Sequence, residues 1–318
     1  MKRRDLLKAG LLAAAAIPAL PLRSMLAGPA ITHAPGLLSH ALAPDPMLAV
    51  MKGADIAATV RASVDALGGM QRFVKSGDVV FLKPNMSFPN PPEWGSTTHP
   101  EVIRAVVKMC AEAGAKRIIA ADFPMRRAAS CFERSGMTAL AAELPELTFV
   151  ELGEEKHFDL VPAPDAVEFK EVAVAKLLRK ADVFINLPSA KAHSGTTVSF
   201  GLKNLMGVIQ NRRTFHEDFD LHGAVADLAG IVRPHLTILD AAYALLTNGP
   251  GGPGRMEQLD TIIAGTDPLA VDAAGIGLAE WSNRTLKPSD VRHLALAAER
   301  GVGSFTVPEE QIIRKTLG

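Results

Sequence analysis

The sequence contains few cysteines, and this shortage excludes several kinds of protein. Only Cys110 and Cys131 are present among 318 residues. Two thiols are too few for a disulfide-stabilised scaffold, a four-cysteine zinc site or a cysteine-ligated iron–sulfur cluster built from this chain alone. The cysteine count says nothing of other metals or cofactors, so the cofactor is left open.

Net charge and aromatic side chains are also scarce. The 34 basic residues balance 34 acidic residues, and aromatic residues make up 5% of the chain, with a single tyrosine. Beyond residue 30 no run of Lys or Arg exceeds two residues, so a nucleic acid is not expected as a partner. The scarcity of aromatics disfavours a purely structural envelope protein, which needs a large exposed apolar surface. The 48% hydrophobic content excludes a disordered chain.

Residues 1–30 have the composition of an export signal. Arg3 and Arg4 precede Asp5, two leucines and Lys8, and a small apolar stretch follows over 9–20. This pattern resembles a twin-arginine signal, and it predicts the twin-arginine translocation machinery as a partner and a periplasmic or other extracytoplasmic location. The stretch is shorter than the ~20 residues needed to cross a bilayer, and no span is expected in the mature chain. Cleavage, or retention as a membrane tether, is left open.

The chain after residue 30 divides into a short linker and a long folded region. Residues 31–46 contain three prolines and no periodic pattern, which is typical of a linker. We expect a single domain over 47–318, with a β-rich excursion near 150–180. The alternative is a two-lobed arrangement, with the boundary between the lobes in the segment 150–180.

Short apolar runs alternate with helical patterns throughout this region. The runs are too short for helices and are typical of strands buried on both faces. They lie at 79–82, 118–121, 183–187, 236–239 and 261–264. Helices are predicted over 101–113, 269–279 and 289–300, the first with Thr98 as its N-cap. The alternation predicts an α/β fold with a largely parallel or mixed sheet flanked by helices.

Polar residues follow several of these apolar runs. Lys83 and Asn85 come after the first run, Asp122 after the second and Asp240 after the fourth. Ligands of open α/β sheets bind beyond the carboxyl ends of the strands. We therefore expect Lys83, Asn85 and Asp122 to bind a ligand and Asp240 to take part in catalysis. Polar residues also end buried strands where no site exists, so the pattern alone defines no function.

Residues 186–207, NLPSAKAHSGTTVSFGLKNLMG, contain the largest number of chemically useful side chains. On an extended backbone Lys191 and His193 face the same side, and both are predicted to be catalytic. There an ammonium can hold an anion while an imidazole transfers a proton or binds a metal. Lys203 and Asn204 follow in a predicted short helix and are expected to bind the ligand. A surface loop with solvated side chains is the alternative interpretation.

Motifs spread over most of residues 75–280 resemble one protein family. They are Lys83-Pro84-Asn85, 97–103, Asn186-Leu187-Pro188, Lys191-Ala192-His193, 201–207, Asn248-Gly249-Pro250 and 264–272. The combination of Lys-Ala-His with Leu-Lys-Asn-Leu-Met-Gly is the most specific part, and it resembles the domain-of-unknown-function family 362. The resemblance implies no defined activity. Some members resemble fusions with ferredoxin-type iron–sulfur modules, but this chain lacks the cysteines for that chemistry.

Residues 216–222, HEDFDLH, are a candidate metal-binding segment. They hold two histidines and three carboxylates, a mixture that hard or borderline metals accept. Their spacing matches no established metal motif, so a solvated loop is the favoured interpretation. The metal is therefore unknown, and His193, His216 and His222 are its weak candidates.

Two functions are compatible with the sequence. The first is an exported enzyme acting on a small anionic molecule, in which lysines hold the negative charge, His193 is the acid or base or a metal ligand, and Asp122 or Asp240 orients it. The second is a non-catalytic module that binds a solute, metal or cofactor for an envelope partner. A buried His193 beside a carboxylate favours the enzyme, whereas a cleft lined only by lysines and amides favours the binding module.

Overall fold

The computed structural model describes residues 48–318, and the predicted export signal and linker lie outside the described residues. The strands are β1 (Leu48–Lys52), β2 (Val79–Pro84), β3 (Arg117–Asp122), β4 (Leu147–Glu151), β5 (Phe158–Pro162), β6 (Glu171–Ala175), β7 (Val183–Leu187), β8 (Ser189–His193), β9 (Thr197–Val198), β10 (Leu236–Leu245), β11 (Met256–Gly265) and β12 (Ile312–Thr316). The helices are α1 (Ile56–Ala66), α2 (Pro100–Glu112), α3 (Ala128–Arg134), α4 (Met137–Glu143), α5 (Lys176–Arg179), α6 (Phe200–Asn204), α7 (Arg212–Glu217), α8 (Leu221–Ile231), α9 (Pro268–Ile276) and α10 (Arg292–Glu299).

A mixed sheet forms the centre of this region. Its strand order is β12-β1-β11-β10-β7-β2-β3-β4, with β8 pairing both β10 and β9. The strands β7, β2, β3 and β4 are parallel to one another, as are β10 and β7, whereas β11 is antiparallel to both of its neighbours. Helices cover the sheet, which confirms the predicted α/β class. A separate antiparallel pair, β5 and β6, lies within the segment 150–180.

Both faces of the sheet are buried, and this explains the continuous apolar runs. In β2, Phe81 belongs to one buried apolar cluster, whereas Val80 and Leu82 belong to the other. Successive side chains of a strand point to opposite faces, so a strand covered on both sides needs apolar residues at every position. One cluster includes residues of α1 and α2, and the other includes residues of α8, α9 and α10.

The five predicted strands are present, but the boundaries near the site differ in three places. The strand β10 continues beyond Asp240 to Leu245, because it pairs with β8 and with the long strand β11. The helix α2 is capped by His99 instead of Thr98, since the Thr98 hydroxyl donates to the Leu187 carbonyl. The segment that carries Lys191 is a strand, which its pairing with β10 stabilises. None of the helices within residues 48–318 is long and apolar enough to cross a membrane.

Candidate functional site

A small pocket lies where the carboxyl ends of β2 and β3 approach β8 and the helices α6 and α7. Its volume of about 80 Å³ is room for about three water molecules or one small anionic group. The charged, amide and imidazole side chains of its lining are Lys83, Asn85, Asp122, Lys191, His193, Lys203, Asn204, Arg212 and His216. The fold therefore brings together seven of the eight residues predicted to be catalytic or ligand-binding.

Lys83 and Asp122 form a buried ion pair at one wall of the pocket. The Lys83 Nζ atom lies 2.9 Å from an Asp122 carboxylate oxygen, and both side chains are excluded from solvent. The same ammonium donates to the Pro84 carbonyl at 2.7 Å and to the Asn204 side-chain oxygen at 3.2 Å. Burial lowers the pKa of Lys83, and the Asp122 charge opposes that shift. With an acceptor for each of its three N–H groups, Lys83 is held in place.

A glycine makes room for this ion pair. A Cβ atom added to Gly207 would lie 2.0 Å from an Asp122 carboxylate oxygen and 2.3 Å from the Lys83 Cε atom. Real Cβ atoms do not approach other atoms that closely, so any larger residue at position 207 displaces the pair. This contact explains why the sequence places a glycine directly after Leu205 and Met206.

A chain of side-chain amides connects Lys83 and Lys191. The Lys191 ammonium donates to the Asn85 side-chain oxygen at 3.0 Å and to the Ser96 carbonyl. Asn85 donates to the Asn204 side-chain oxygen at 3.0 Å, and Asn204 donates to Asn186 at 2.8 Å. Because each buried amide has a partner, the network holds its members in fixed positions.

Lys191 and Lys203 differ in how they are held, although burial affects both. Desolvation lowers the pKa of Lys191 to about 7 and the pKa of Lys203 to about 7. Repulsion by Lys83 and Lys203 lowers the pKa of Lys191 further. Repulsion by Arg212 does the same for Lys203. Within residues 48–318, Lys203 makes no hydrogen bond and no ion pair. Lys203 is thus a largely buried lysine whose amine has no counter-charge in this part of the chain.

Arg212 is a pocket residue that the sequence analysis did not identify. Its guanidinium stacks on the Phe123 ring, 4.1 Å from the ring centre, and donates to the Pro124 carbonyl at 2.9 Å. Its Nε atom is buried without a hydrogen-bond partner in the described residues, and no carboxylate there pairs with it. Burial lowers the pKa of Arg212. Arg212 lies between the family motifs at 201–207 and 248–250, so no motif pointed to it.

The two histidines of the pocket present opposite hydrogen-bonding groups. The Nδ1 atom of His193 accepts from the backbone N–H groups of Gly195 at 3.0 Å and Thr196 at 3.2 Å. In the neutral ring the proton therefore sits on Nε2, which is a donor. The Nδ1 atom of His216 lies 2.7 Å from the Arg212 carbonyl, which only accepts, so its Nε2 atom carries a lone pair.

The surroundings of both rings favour the neutral form. Desolvation and the nearby charges of Lys203 and Lys191 lower the pKa of His193 to about 2. Partial desolvation at the mouth of the pocket also lowers the pKa of His216. His193 has backbone amides instead of a carboxylate as its partners, so the arrangement matches neither of the two expected from the sequence. The pocket therefore combines cationic and amide side chains with two imidazoles, of which His193 can donate a hydrogen bond and His216 can accept one.

Two features outside the pocket position its residues. Both carboxylate oxygens of Asp272 accept backbone N–H groups at the start of α6, from Gly201 at 2.7 Å and Leu202 at 2.9 Å. They fix the helix that carries Lys203. The loop 248–254 lies against β8, where the Ser194 N–H donates to the Gly249 carbonyl at 3.1 Å.

Two of the predicted residues are placed elsewhere. Asp240 does not line the pocket, and its carboxylate accepts the backbone N–H groups of His99 at 2.7 Å and Ala242 at 3.1 Å. His222 also lies away from the pocket lining and packs near His293, with 5.9 Å between the ring centres. In the described part of the chain no group of three or more His, Cys, Asp or Glu is arranged to hold a metal ion.

The fold and the pocket define an α/β protein with a buried cationic site at the carboxyl edge of its sheet. Residues 80–277 match the family model described as Domain of unknown function (DUF362). The chain belongs to this family. It is 32% identical over 222 residues to a protein of Synechocystis sp. that is described as thylakoid-associated, and the match covers 68% of this chain and 67% of that protein.

Two solved structures are similar over part of the fold. One is a protein of Thermotoga maritima, with a TM-score of 0.40, 11% identity and coverage of 69% of this chain and 58% of that one. The other is the lactate racemase apoprotein of Thermoanaerobacterium thermosaccharolyticum, with a TM-score of 0.40 and 13% identity. The match covers 60% of this chain and 49% of that one.

Proposed function

We propose that this protein is an enzyme that acts on a small anionic molecule held in the pocket. The observation that carries the proposal is an imbalance of charge. Four cationic side chains, Lys83, Lys191, Lys203 and Arg212, line the pocket together with a single carboxylate, that of Asp122. Buried charges are ordinarily paired, because an unpaired charge in a low-dielectric site is costly. An anionic ligand supplies the missing negative charge.

Anion affinity is expected to fall as the pH rises from 6 to 9. An anion binds most tightly when Lys191 and Lys203 are protonated, and with pKa values of about 7 both lose their protons over this range. We expect a loss of about tenfold in affinity for each lysine and each pH unit above its pKa. Calorimetric titration with acetate and pyruvate, whose own charge is constant over this range, measures the loss of affinity.

The matched variants for this titration are Lys203→Met and Lys108→Met. The first removes a cation that makes no hydrogen bond within the described residues, so the fold is retained while affinity falls by about tenfold or more. The second removes an exposed lysine of α2 and leaves affinity unchanged. An affinity that is constant or rises with pH, or one that Lys203→Met leaves intact, contradicts the proposal.

The two histidines favour the enzyme over the non-catalytic binding module. His216 offers an unprotonated Nε2 atom that can take a proton from the bound anion, and His193 offers an N–H group that can stabilise the oxygen where negative charge develops. A module that only binds an anion needs donors, which the lysines and Arg212 already supply. The unprotonated Nε2 atom of His216 has no role in such a module.

Proton abstraction by His216 is expected to exchange a carbon-bound hydrogen of the anion with solvent. Proton NMR in deuterium oxide follows this exchange in 2-hydroxy, 2-oxo and 2-amino acids. We expect His216→Gln to slow it by about 10²–10⁴-fold, because the glutamine amide is not a base. The control is Glu217→Gln, which changes an exposed carboxylate on the same helix. Binding of these acids without exchange supports the binding module instead.

We also propose that the protein is exported by the twin-arginine route. The paired Arg3 and Arg4 support this, and so does the relative described as thylakoid-associated. Replacing both arginines with lysine is expected to leave the protein in the cytoplasm, as measured by fractionation of the producing cells. Arg23→Lys, outside the pair, is the control and leaves export unchanged. Export of the double variant at the wild-type level refutes the route.

A further inference from the structure

The three lysines of the pocket differ in the number of acceptors around the amine. Lys83 has three, namely a carboxylate, a carbonyl and an amide oxygen, so all of its N–H groups are engaged. Lys191 has two, the Asn85 amide oxygen and the Ser96 carbonyl, and it also faces the Phe88 ring at 5.2 Å. Within the described residues Lys203 has none. Its amine is the one among the three that no contact restrains.

The surroundings of Lys203 suit a neutral amine. Lys203 is 8% exposed, and the guanidinium of Arg212 repels a proton on its nitrogen. A lysine becomes a nucleophile when burial and a neighbouring cation keep a fraction of it unprotonated. The lowered pKa of Lys203 agrees with this geometry. An ammonium that served only to bind an anion would be better placed with hydrogen-bond acceptors, as Lys83 is.

We infer that Lys203 is a nucleophile that forms an imine with a small aldehyde or ketone that carries an anionic group, such as a 2-oxo acid. This inference rests on the proposed anion pocket and names its substrate class. The Lys203 nitrogen lone pair forms a C–N bond to the carbonyl carbon, while the π electrons of the C=O bond move to oxygen. Transfer of protons to that oxygen and loss of one water molecule then leave the imine.

Other pocket residues fit the remaining groups of such a substrate. The guanidinium of Arg212 lines the pocket and has no carboxylate partner in the described residues, so it suits a carboxylate of the substrate. The Nε2–H group of His193 can donate to the carbonyl oxygen and so make its carbon more electrophilic, as a neutral imidazole does. The free Nε2 atom of His216 can accept a proton that the amine releases. No further co-reactant is needed to form the imine.

Reductive trapping tests this inference on the folded protein. Pyruvate is added together with cyanoborohydride, which delivers a hydride to an imine and fixes it as a secondary amine. Intact mass and peptide mapping then locate the adduct. We expect one adduct at Lys203 that forms faster than labelling of exposed lysines and that propionate slows by competition. Propionate carries the same carboxylate but lacks the carbonyl.

Three variants separate a nucleophile from a binding residue. Lys203→Arg keeps the positive charge, so pyruvate binding measured by calorimetry is retained while the adduct is reduced to the background of exposed lysines. Lys203→Met serves if the larger arginine does not fold; pyruvate is then raised until calorimetry shows the weakened site to be filled, and the adduct is still lost. Lys108→Arg, on the exposed side of α2, leaves trapping unchanged.

The outcomes distinguish this inference from the proposed function. An adduct at Lys191 or on exposed lysines only, or an undiminished adduct in Lys203→Arg, overturns the inference. Binding of pyruvate without any adduct overturns it too and leaves the anion pocket standing. If neither binding nor an adduct is found with pyruvate, phosphate or acetate, both proposals fail.

Discussion

Replacing Asp122 with asparagine is expected to lower the free energy of unfolding by about 3–5 kcal/mol, because Lys83 is then buried without a counter-charge. The carboxylate lies 2.9 Å from the Lys83 ammonium, and it also accepts the Met86 N–H at 2.8 Å and the Phe123 N–H at 2.9 Å. Asparagine keeps one acceptor oxygen but loses the charge. Against a total stability of about 5–15 kcal/mol the loss is large, and urea unfolding measures it.

The double variant Lys83→Met, Asp122→Asn shows whether charge is the cause. Removing both charges avoids the unpaired buried ion, and such replacements are often nearly neutral. We therefore expect the double variant to regain most of the stability that Asp122→Asn loses. If the double variant is as unstable as the sum of the single variants, the two side chains act independently and the ion pair does not explain the loss.

Replacing Gly249 with alanine is expected to displace the loop 248–254 from β8 and to weaken anion binding. A Cβ atom at this position would lie 1.8 Å from the Ala192 carbonyl oxygen, a backbone atom that has no side-chain freedom to move away. Ala192 stands between Lys191 and His193, and Pro250 lines the pocket, so the movement reaches the site from two sides. We expect a loss of about 1–3 kcal/mol in stability and of about tenfold or more in anion affinity.

The control for this variant is Gly277→Ala at the end of α9. Gly277 has a φ of −72°, and the nearest atom to an added Cβ is the Ala274 carbonyl oxygen at 3.6 Å. Alanine fits this backbone and reduces the freedom of the unfolded chain, so the change is neutral or stabilises by up to about 1 kcal/mol. Thermal unfolding and calorimetric titration compare both variants. Unchanged anion affinity in Gly249→Ala excludes a positioning role for the loop.

Part of the site was predictable because it follows from the ends of buried strands. Lys83 lies at the carboxyl end of β2 and Asp122 ends β3, and parallel neighbours bring such ends together. The same reasoning placed Asp240 wrongly at a strand end. The apolar run stops there, yet β10 continues for five residues because its pairing with β8 and β11 does not depend on side-chain polarity.

The sequence by itself determined the α/β class, the strands buried on both faces and the lysines and amides that line the pocket, because local periodicity and strand ends are properties of neighbouring residues. The tertiary structure alone decided that Arg212 and His216 join them from α7. It also decided that backbone partners give the two histidines opposite tautomers, and that Lys203 has no acceptor in the described residues while Lys83 has three. The number of hydrogen-bond acceptors around a buried lysine depends on atoms from segments that are distant in the sequence. No local pattern encodes the distances from the amine to those atoms.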